Sequence, residues 1–168
     1  MKKSTKKNFS LIGFLLVGIT IAAGLWMRGV GGSAAASEAP QVGCATVTSG
    51  GGWQNFAFSP QTGAFTAEFD ATRSASPIDS VVGLSRGAQT AYTGFATLAR
   101  FNPSGNIDAR NGGAYAATST IPYSAGVTYH FRLVMNVPAH TYSIFVRPAG
   151  GAESTVGTNF AFRTEQNA

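Results

Sequence analysis

The chain has 168 residues, a length typical of one domain, and a formal net charge of +5. Every lysine and one arginine lie in the first 28 residues, whereas from Ser37 onward seven arginines balance seven acidic residues, 7 − 7 = 0. A neutral segment without lysine lacks the basic surface that binds a phosphate backbone, so the composition argues against a nucleic-acid partner.

Residues 1–36 have the pattern of an export leader. The basic stretch MKKSTKKN precedes a 19-residue uncharged run, Phe9 to Met27, and small residues up to Ala36 follow. This order is typical of a secretory signal peptide cleaved after Ala36. The run is also almost long enough to cross a bilayer, so an uncleaved apolar leader helix that anchors the chain stays open. In either case we expect a secreted or extracytoplasmic domain that meets the membrane only through this leader.

Residues 37–52 are small, polar and rich in glycine, which predicts a flexible linker. The linker holds Cys44, the single cysteine of the chain. No intrachain disulfide can therefore form, and the folded domain must be held together by its core.

From Trp53 to Ala168 short runs alternate apolar and polar residues between clusters of Gly, Pro, Asn and Ser, which predicts strands. In chain order the predicted strands are Asn55–Phe58, Ala64–Thr72, Ser80–Leu84, Gly94–Phe101, Asn106–Arg110, Tyr115–Thr118, Val127–Val137, His140–Arg147, Ser154–Gly157 and Asn159–Thr164. No apolar 3.6-residue repeat predicts a helix in this part. The prediction is an all-β, antiparallel two-sheet sandwich.

The longest predicted strand and its successor form a hairpin with one apolar and one polar face. The polar face should display one imidazole and two guanidinium groups, short polar groups and one ring: His130, Arg132, Asn136, Ser143, Phe145 and Arg147. Such a mixture suits a polyhydroxylated ligand, since the ring can lie against a pyranose while planar groups bind its hydroxyls. The alternative is an ordinary solvated sheet face.

The segment NPSGNIDARNGG, residues 102–113, is the second candidate contact region, through Asp108, Arg110 and Asn111. Oxygen-rich loops can hold Ca²⁺, but a single carboxylate predicts low affinity, so no metal site or cofactor is assigned. The alternative is a hairpin in which Asn and Gly supply turn conformations and Asp108 pairs with Arg110 or Arg100.

No catalytic residues are assigned. The sequence has no serine in a nucleophile elbow, and Tyr129 should point to the face opposite His130. Glu68 and Asp70 alternate on one predicted strand and could flank a scissile bond, but a solvated face opposite an arginine explains them as well.

Five segments carry a resemblance to a known family: GGWQNFAFSPQTGAFTAEFDAT, PIDSVVGLS, ARFNPSGNIDARNGGAYAA, IPYSAGVTYHFRLVMNVPAHTYSIFVRP and NFAFRTEQ. Together they resemble secreted bacterial modules of the concanavalin A-like, laminin-G-like type. The resemblance implies a jelly roll that serves glycan binding or adhesion, with matching positions at Asp108, Arg110, Asn111, His130, Arg132 and the segment HTY, 140–142. Similar modules continue past RTEQ with a further closing strand, so we expect an open sheet edge here or a piece of a longer protein.

The sequence thus predicts an extracellular, non-catalytic module that binds a polysaccharide or a cell-surface glycan. Two alternatives stay open, a polysaccharide lyase or glycosidase on the same fold and a structural, self-assembling envelope module.

Overall fold

The computed structural model describes residues 12–13, 46–48 and 51–167. The predicted leader of residues 1–36 and the linker of residues 37–52 lie largely outside the described residues. The described strands are β1 (Ile12–Gly13), β2 (Phe56–Ala57), β3 (Ala64–Thr72), β4 (Ser80–Ser85), β5 (Phe95–Phe101), β6 (Ile107–Asn111), β7 (Ala114–Ala116), β8 (Thr128–Asn136), β9 (Thr141–Pro148) and β10 (Ser154–Ala161). Two single-turn 3-10 helices span Tyr92–Gly94 and Thr164–Gln166.

Eight of these strands form two antiparallel four-stranded sheets. Sheet I has the order β10-β9-β8-β3, and sheet II has the order β4-β5-β6-β7. β1 and β2 form a separate antiparallel pair. The prediction of an all-β, two-sheet antiparallel fold is confirmed, while its assignment to the concanavalin A-like jelly roll stays a prediction.

The core lies between the two sheets and draws on both. Along β8 the buried side chains are those of alternate positions, Tyr129, Phe131, Leu133 and Met135, as the period-two pattern predicts. The Phe131 ring is fully buried, stacks on a β3 ring (Phe69) with centroids 5.0 Å apart, and meets a sheet II ring (Phe101) edge-on at 5.6 Å. The apolar side of the hairpin is therefore the inner layer of the sandwich.

Strand β5 differs from the expected half-buried strand, because Phe95–Ala99 is buried at every position. The Trp53 ring lies over Phe95 with centroids 4.7 Å apart, and the backbone N–H of Arg163 donates to the carbonyl of Ala96. Segments remote in sequence thus cover what a local pattern reads as an outer face.

The last two predicted strands are one strand, β10, so their separation was wrong. The pairing of β10 with β9 shifts register twice, first between Thr155 and Gly157 and again between Gly157 and Phe160. Asn159 adopts a φ of 53°, which turns the backbone out of regular extended geometry. These irregularities break the period-two pattern by which a strand is recognised in a sequence.

The free edge of β10 receives backbone hydrogen bonds from the end of sheet II. The N–H of Thr118 donates to the carbonyl of Val156, and the N–H of Gly112 donates to that of Ala161. The two sheets are therefore joined along this side of the sandwich by main-chain contacts as well as by the core.

Candidate functional site

The register of three neighbouring strands places the polar hairpin residues in two rows on the outer face of sheet I. The first row is Asp70, His130 and Arg147, contributed by β3, β8 and β9. The second row is Glu68, Arg132 and Phe145, from the same three strands. Side chains directly opposite across antiparallel strands lie about 4.5–5.5 Å apart at their Cβ atoms, so each row can act as a unit.

The first row contains a carboxylate–imidazole pair. Asp70 Oδ1 lies 2.8 Å from His130 Nδ1, and the two side chains are 46% and 27% exposed. Because an ionised carboxylate has no hydrogen to donate, His130 Nδ1 is the donor of this bond. In the neutral imidazole this leaves Nε2 as a hydrogen-bond acceptor for a ligand.

This row lines an open depression of about 490 Å³, which we call the Arg147 depression. Its walls are Asp70, Thr128, His130, Arg147 and the turn residues Pro148, Ala149, Gly150 and Gly151. The volume falls within the range of about 300–1,000 Å³ that is usual for small-molecule sites.

The turn that forms one wall depends on glycine and on a bond back to β8. Gly150 has a φ of 74°, a left-handed conformation that side chains disfavour, and a Cβ on Gly151 would lie 2.6 Å from Pro148 Cγ. The N–H of Ala149 donates to the carbonyl of Thr128 over 2.8 Å, which fixes the turn against the hairpin. The wall is therefore held in place by main-chain geometry.

Arg147 is exposed and, among the described residues, has no ion-pair partner within 4.0 Å. Its charge nevertheless contributes to lowering the pKa of the nearby Glu153 carboxyl, after the larger effect of Arg132. Its guanidinium therefore offers planar donors to a molecule that enters the depression.

The second row is closed by its own contacts. Arg132 donates to both carboxylate oxygens of Glu153, Nη2 to Oε1 over 2.6 Å and Nε to Oε2 over 3.1 Å. These hydrogen bonds raise the pKa of Arg132 and lower that of Glu153. The Arg132 guanidinium carbon also lies 4.1 Å from the centroid of the Phe145 ring, so the cation already covers one face of the ring that was predicted to stack on a sugar.

The other predicted hairpin residues shape the chain locally. Asn136 lies six residues along β8 from His130, which is about 20 Å in an extended strand, and its Oδ1 accepts the N–H of Ala139 in the hairpin turn. Ser143 Oγ accepts the N–H of Asn159 on β10. The structure thus groups His130, Arg132, Phe145 and Arg147, and it places Asn136 away from the depression.

The residues predicted from the 102–113 segment lie on sheet II. Asp108 accepts two hydrogen bonds from Arg100, of 2.8 and 2.7 Å, and a third of 2.8 Å from the amide of Asn102. The Arg100 guanidinium also lies 3.6 Å from the centroid of the Tyr115 ring. Both oxygens of the carboxylate that the calcium hypothesis requires are therefore engaged by protein donors.

Arg110 and Asn111 also form hydrogen bonds with other residues of the chain. Arg110 Nε donates to the carbonyl of Gly112 over 3.0 Å, and Asn111 Oδ1 accepts the N–H of Ala161 over 2.9 Å. The buried Tyr142 hydroxyl donates to the Arg110 carbonyl, and burial raises the pKa of that hydroxyl well above its usual range. These contacts tie the end of β6 to sheet I.

In the described part of the chain, no three His, Cys, Asp or Glu side chains cluster closely enough to hold a metal ion. The same described residues contain no helix long and apolar enough to cross a membrane.

Sequence reasoning missed three contributors to the depression: Asp70 as the partner of His130, the Thr128 position, and the turn Pro148–Gly151. The alternation of Glu68 and Asp70 and the motif PAGG were visible signals. What they lacked was the strand register, which alone places Asp70 opposite His130 and His130 opposite Arg147.

No protein-family model matches the chain, and no solved structure gives a significant match. The chain is similar to a curated gellan lyase from a Bacillus species, with 28% identity over 98 residues. The aligned segment covers 56% of this chain and 4% of that protein, so the chain corresponds to a small part of the lyase's length.

Proposed function

We propose that the protein is an exported, non-catalytic carbohydrate-binding module of the concanavalin A-like jelly-roll type. The observation that carries the proposal is the Arg147 depression on the outer face of sheet I. A carboxylate, an imidazole and a guanidinium meet there in a recess of about 490 Å³ that is open to solvent. Polar groups converging on a preformed recess are typical of a ligand site.

The chemistry of these groups fits a polyhydroxylated ligand. Asp70 and the Nε2 atom of His130 can accept hydrogen bonds from hydroxyls, and Arg147 can donate to hydroxyl or acidic oxygens. The groups come from three hydrogen-bonded strands, so the fold fixes their backbone positions before a ligand arrives. Such preorganisation lowers the entropic cost of binding.

The similarity to a gellan lyase supports a carbohydrate-related role. Because the aligned segment covers 4% of that protein, the likeness fits an accessory segment of a large enzyme better than its complete catalytic apparatus. The proposal therefore assigns binding to this chain and no bond cleavage.

Affinity electrophoresis of the purified full-length chain in gels that contain neutral or acidic polysaccharides tests the proposal. We expect retardation by at least one polymer, loss of retardation in His130→Ala, and no change in Arg86→Gln, an exposed arginine outside the depression. Equal thermal unfolding of the variants shows that the fold is intact. A folded protein that no polysaccharide retards, or equal retardation of His130→Ala and wild type, contradicts the proposal.

The second candidate function is a polysaccharide lyase, which the Asp70–His130 pair favours. A carboxylate that orients an imidazole with its second nitrogen free is the arrangement of a general base. Lyase activity predicts an unsaturated, ultraviolet-absorbing product from a polysaccharide, and its loss in His130→Ala. Binding of a polymer without formation of this product decides for the binding module.

A further inference from the structure

We infer that the Arg147 depression recognises an acidic sugar, with the Arg147 guanidinium paired to the carboxylate of a uronic acid residue within a polysaccharide. This inference rests on the proposed function and adds the chemical class of the ligand. It follows from the charges that the fold leaves unpaired and from the acceptors that surround them.

Two arginines on the outer faces of the sheets are already paired with acids. Arg132 is paired with Glu153, and Arg100 is paired with Asp108, each through two hydrogen bonds. Arg147 lies on the wall of a recess and, within the described residues, has no acid within ion-pair distance. A guanidinium in this state can bind a carboxylate through two parallel, charge-assisted hydrogen bonds, which are stronger than hydrogen bonds to neutral hydroxyls.

The hydrogen-bond acceptors of the row lie on β3 and β8, next to Arg147 on β9. Asp70 has 46% of its side chain exposed, and one of its oxygens already binds His130. A negative ligand group is repelled by Asp70 and attracted by Arg147, so the two ends of the row favour different parts of one sugar. The carboxylate faces Arg147, and the ring hydroxyls face Asp70 and His130 Nε2.

The charges and the open shape of the depression also bear on which anion and which polymer it can bind. One cation beside a fixed carboxylate suits a sugar with a single planar carboxylate better than a sugar with several sulfate groups, because some of those groups would have to lie near Asp70. The depression is open to solvent on the outer face of sheet I, so a sugar residue within a polymer can reach it. We therefore assign an internal uronic acid residue as the occupant.

Isothermal titration of the full-length chain tests the assignment with matched polymer pairs. The probes are polygalacturonate, polyglucuronate and alginate, each beside its carboxyl-reduced, neutral counterpart, together with dextran sulfate. We expect at least one polyuronate to bind more tightly than its reduced form and more tightly than dextran sulfate.

The variants identify the residue responsible. Arg147→Gln removes the cation and keeps a polar side chain, and we expect it to weaken polyuronate binding about tenfold, as loss of one charged hydrogen-bonded contact does. Arg147→Lys should restore part of the affinity, because it keeps the charge but not the bidentate geometry. Arg86→Gln removes the same charge elsewhere and should leave binding unchanged.

Each result decides between distinct conclusions. Equal binding of acidic and reduced polymers, unaffected by Arg147→Gln, overturns the acidic-sugar assignment and leaves the glycan-binding proposal standing. Tighter binding of dextran sulfate than of every polyuronate shows general anion binding and also overturns the assignment. Absence of binding to all of these probes, together with absence of retardation in every polysaccharide gel, contradicts both the assignment and the proposed function.

Discussion

The outer faces of the two sheets carry the same residue types in opposite states. On sheet II the Arg100 guanidinium donates two hydrogen bonds to Asp108, lies over the Tyr115 ring and forms an ion pair with Asp79 at 4.0 Å. On sheet I Arg147 lies beside an Asp–His pair, and no acid among the described residues lies within 4.0 Å of it. An arginine and an aspartate close in space therefore identify a ligand site only where the protein leaves their bonding capacity unused.

A second contrast between the faces is how much chain covers them. On sheet II the Phe95 and Leu98 side chains pack over Gly83, where a Cβ would come within 3 Å of both, and Trp53 lies on Phe95. Asn55 fixes this cover through a reciprocal pair of hydrogen bonds with the backbone of Gln89. No comparable cover of described residues lies on the first row of sheet I, which stays open as the Arg147 depression.

The largest expected effect tests the interior that both faces share. Phe131→Ala removes a fully buried ring that contacts rings of both sheets, and we expect it to lower the free energy of unfolding by about 3–5 kcal/mol. Val134→Ala on the same strand removes a side chain that is 39% exposed and should change it by less than about 1 kcal/mol. Urea unfolding followed by fluorescence measures both; equal losses would contradict the alternation of β8.

The next effect compares the two aspartates directly. Asp108→Ala leaves Arg100, whose side chain is 20% exposed, without its bidentate partner, and we expect a loss of about 1–3 kcal/mol of stability with unchanged glycan binding. Asp70→Ala removes a partly exposed pair and should cost less than about 1 kcal/mol while it weakens binding. Urea unfolding measures the stability of both variants, and titration with polysaccharide measures their binding. A larger loss of stability in Asp70→Ala, or a larger loss of binding in Asp108→Ala, would contradict the comparison.

A smaller effect concerns the hydroxyl that joins the sheets. Tyr142→Phe removes the bond to the Arg110 carbonyl and should lower stability by about 1 kcal/mol at neutral pH. Because burial raises the folded-state pKa of Tyr142, its contribution is fully present below the unfolded value of 10.0 and is lost as the pH rises above it. The melting temperature should therefore fall more steeply between pH 8 and pH 11 for wild type than for Tyr142→Phe. Parallel curves of melting temperature against pH would contradict the assignment.

The smallest effect belongs to the closed second row of sheet I. The hydrogen bond from Arg132 lowers the folded-state pKa of Glu153, so its contribution is present above the unfolded value of 4.5 and is lost as the pH falls below it. Both groups are exposed, and water screens the pair. We expect Glu153→Gln to lower the melting temperature slightly above pH 6, and this difference from wild type should disappear as the pH falls below 4.5, which thermal unfolding across this range measures.

The sequence by itself predicted β3 with its observed ends, Ala64–Thr72, and predicted the buried and exposed sides of the β8–β9 hairpin. It could do so because period-two burial is a local property that each strand displays independently of its partners. It split β10 where the register shifts, since a bulge removes that periodicity.

Only the tertiary structure decided which polar residues lie together in the Arg147 depression. Asp70 and His130 lie 60 positions apart, and the register of β3 against β8 makes them neighbours. Arg132 pairs with Glu153 and Arg100 with Asp108, whereas Arg147 has no ion-pair partner within 4.0 Å in the part of the chain that the structure describes. The physical reason is that hydrogen-bond and charge saturation depend on partners from remote strands, which alternation along a single strand does not encode.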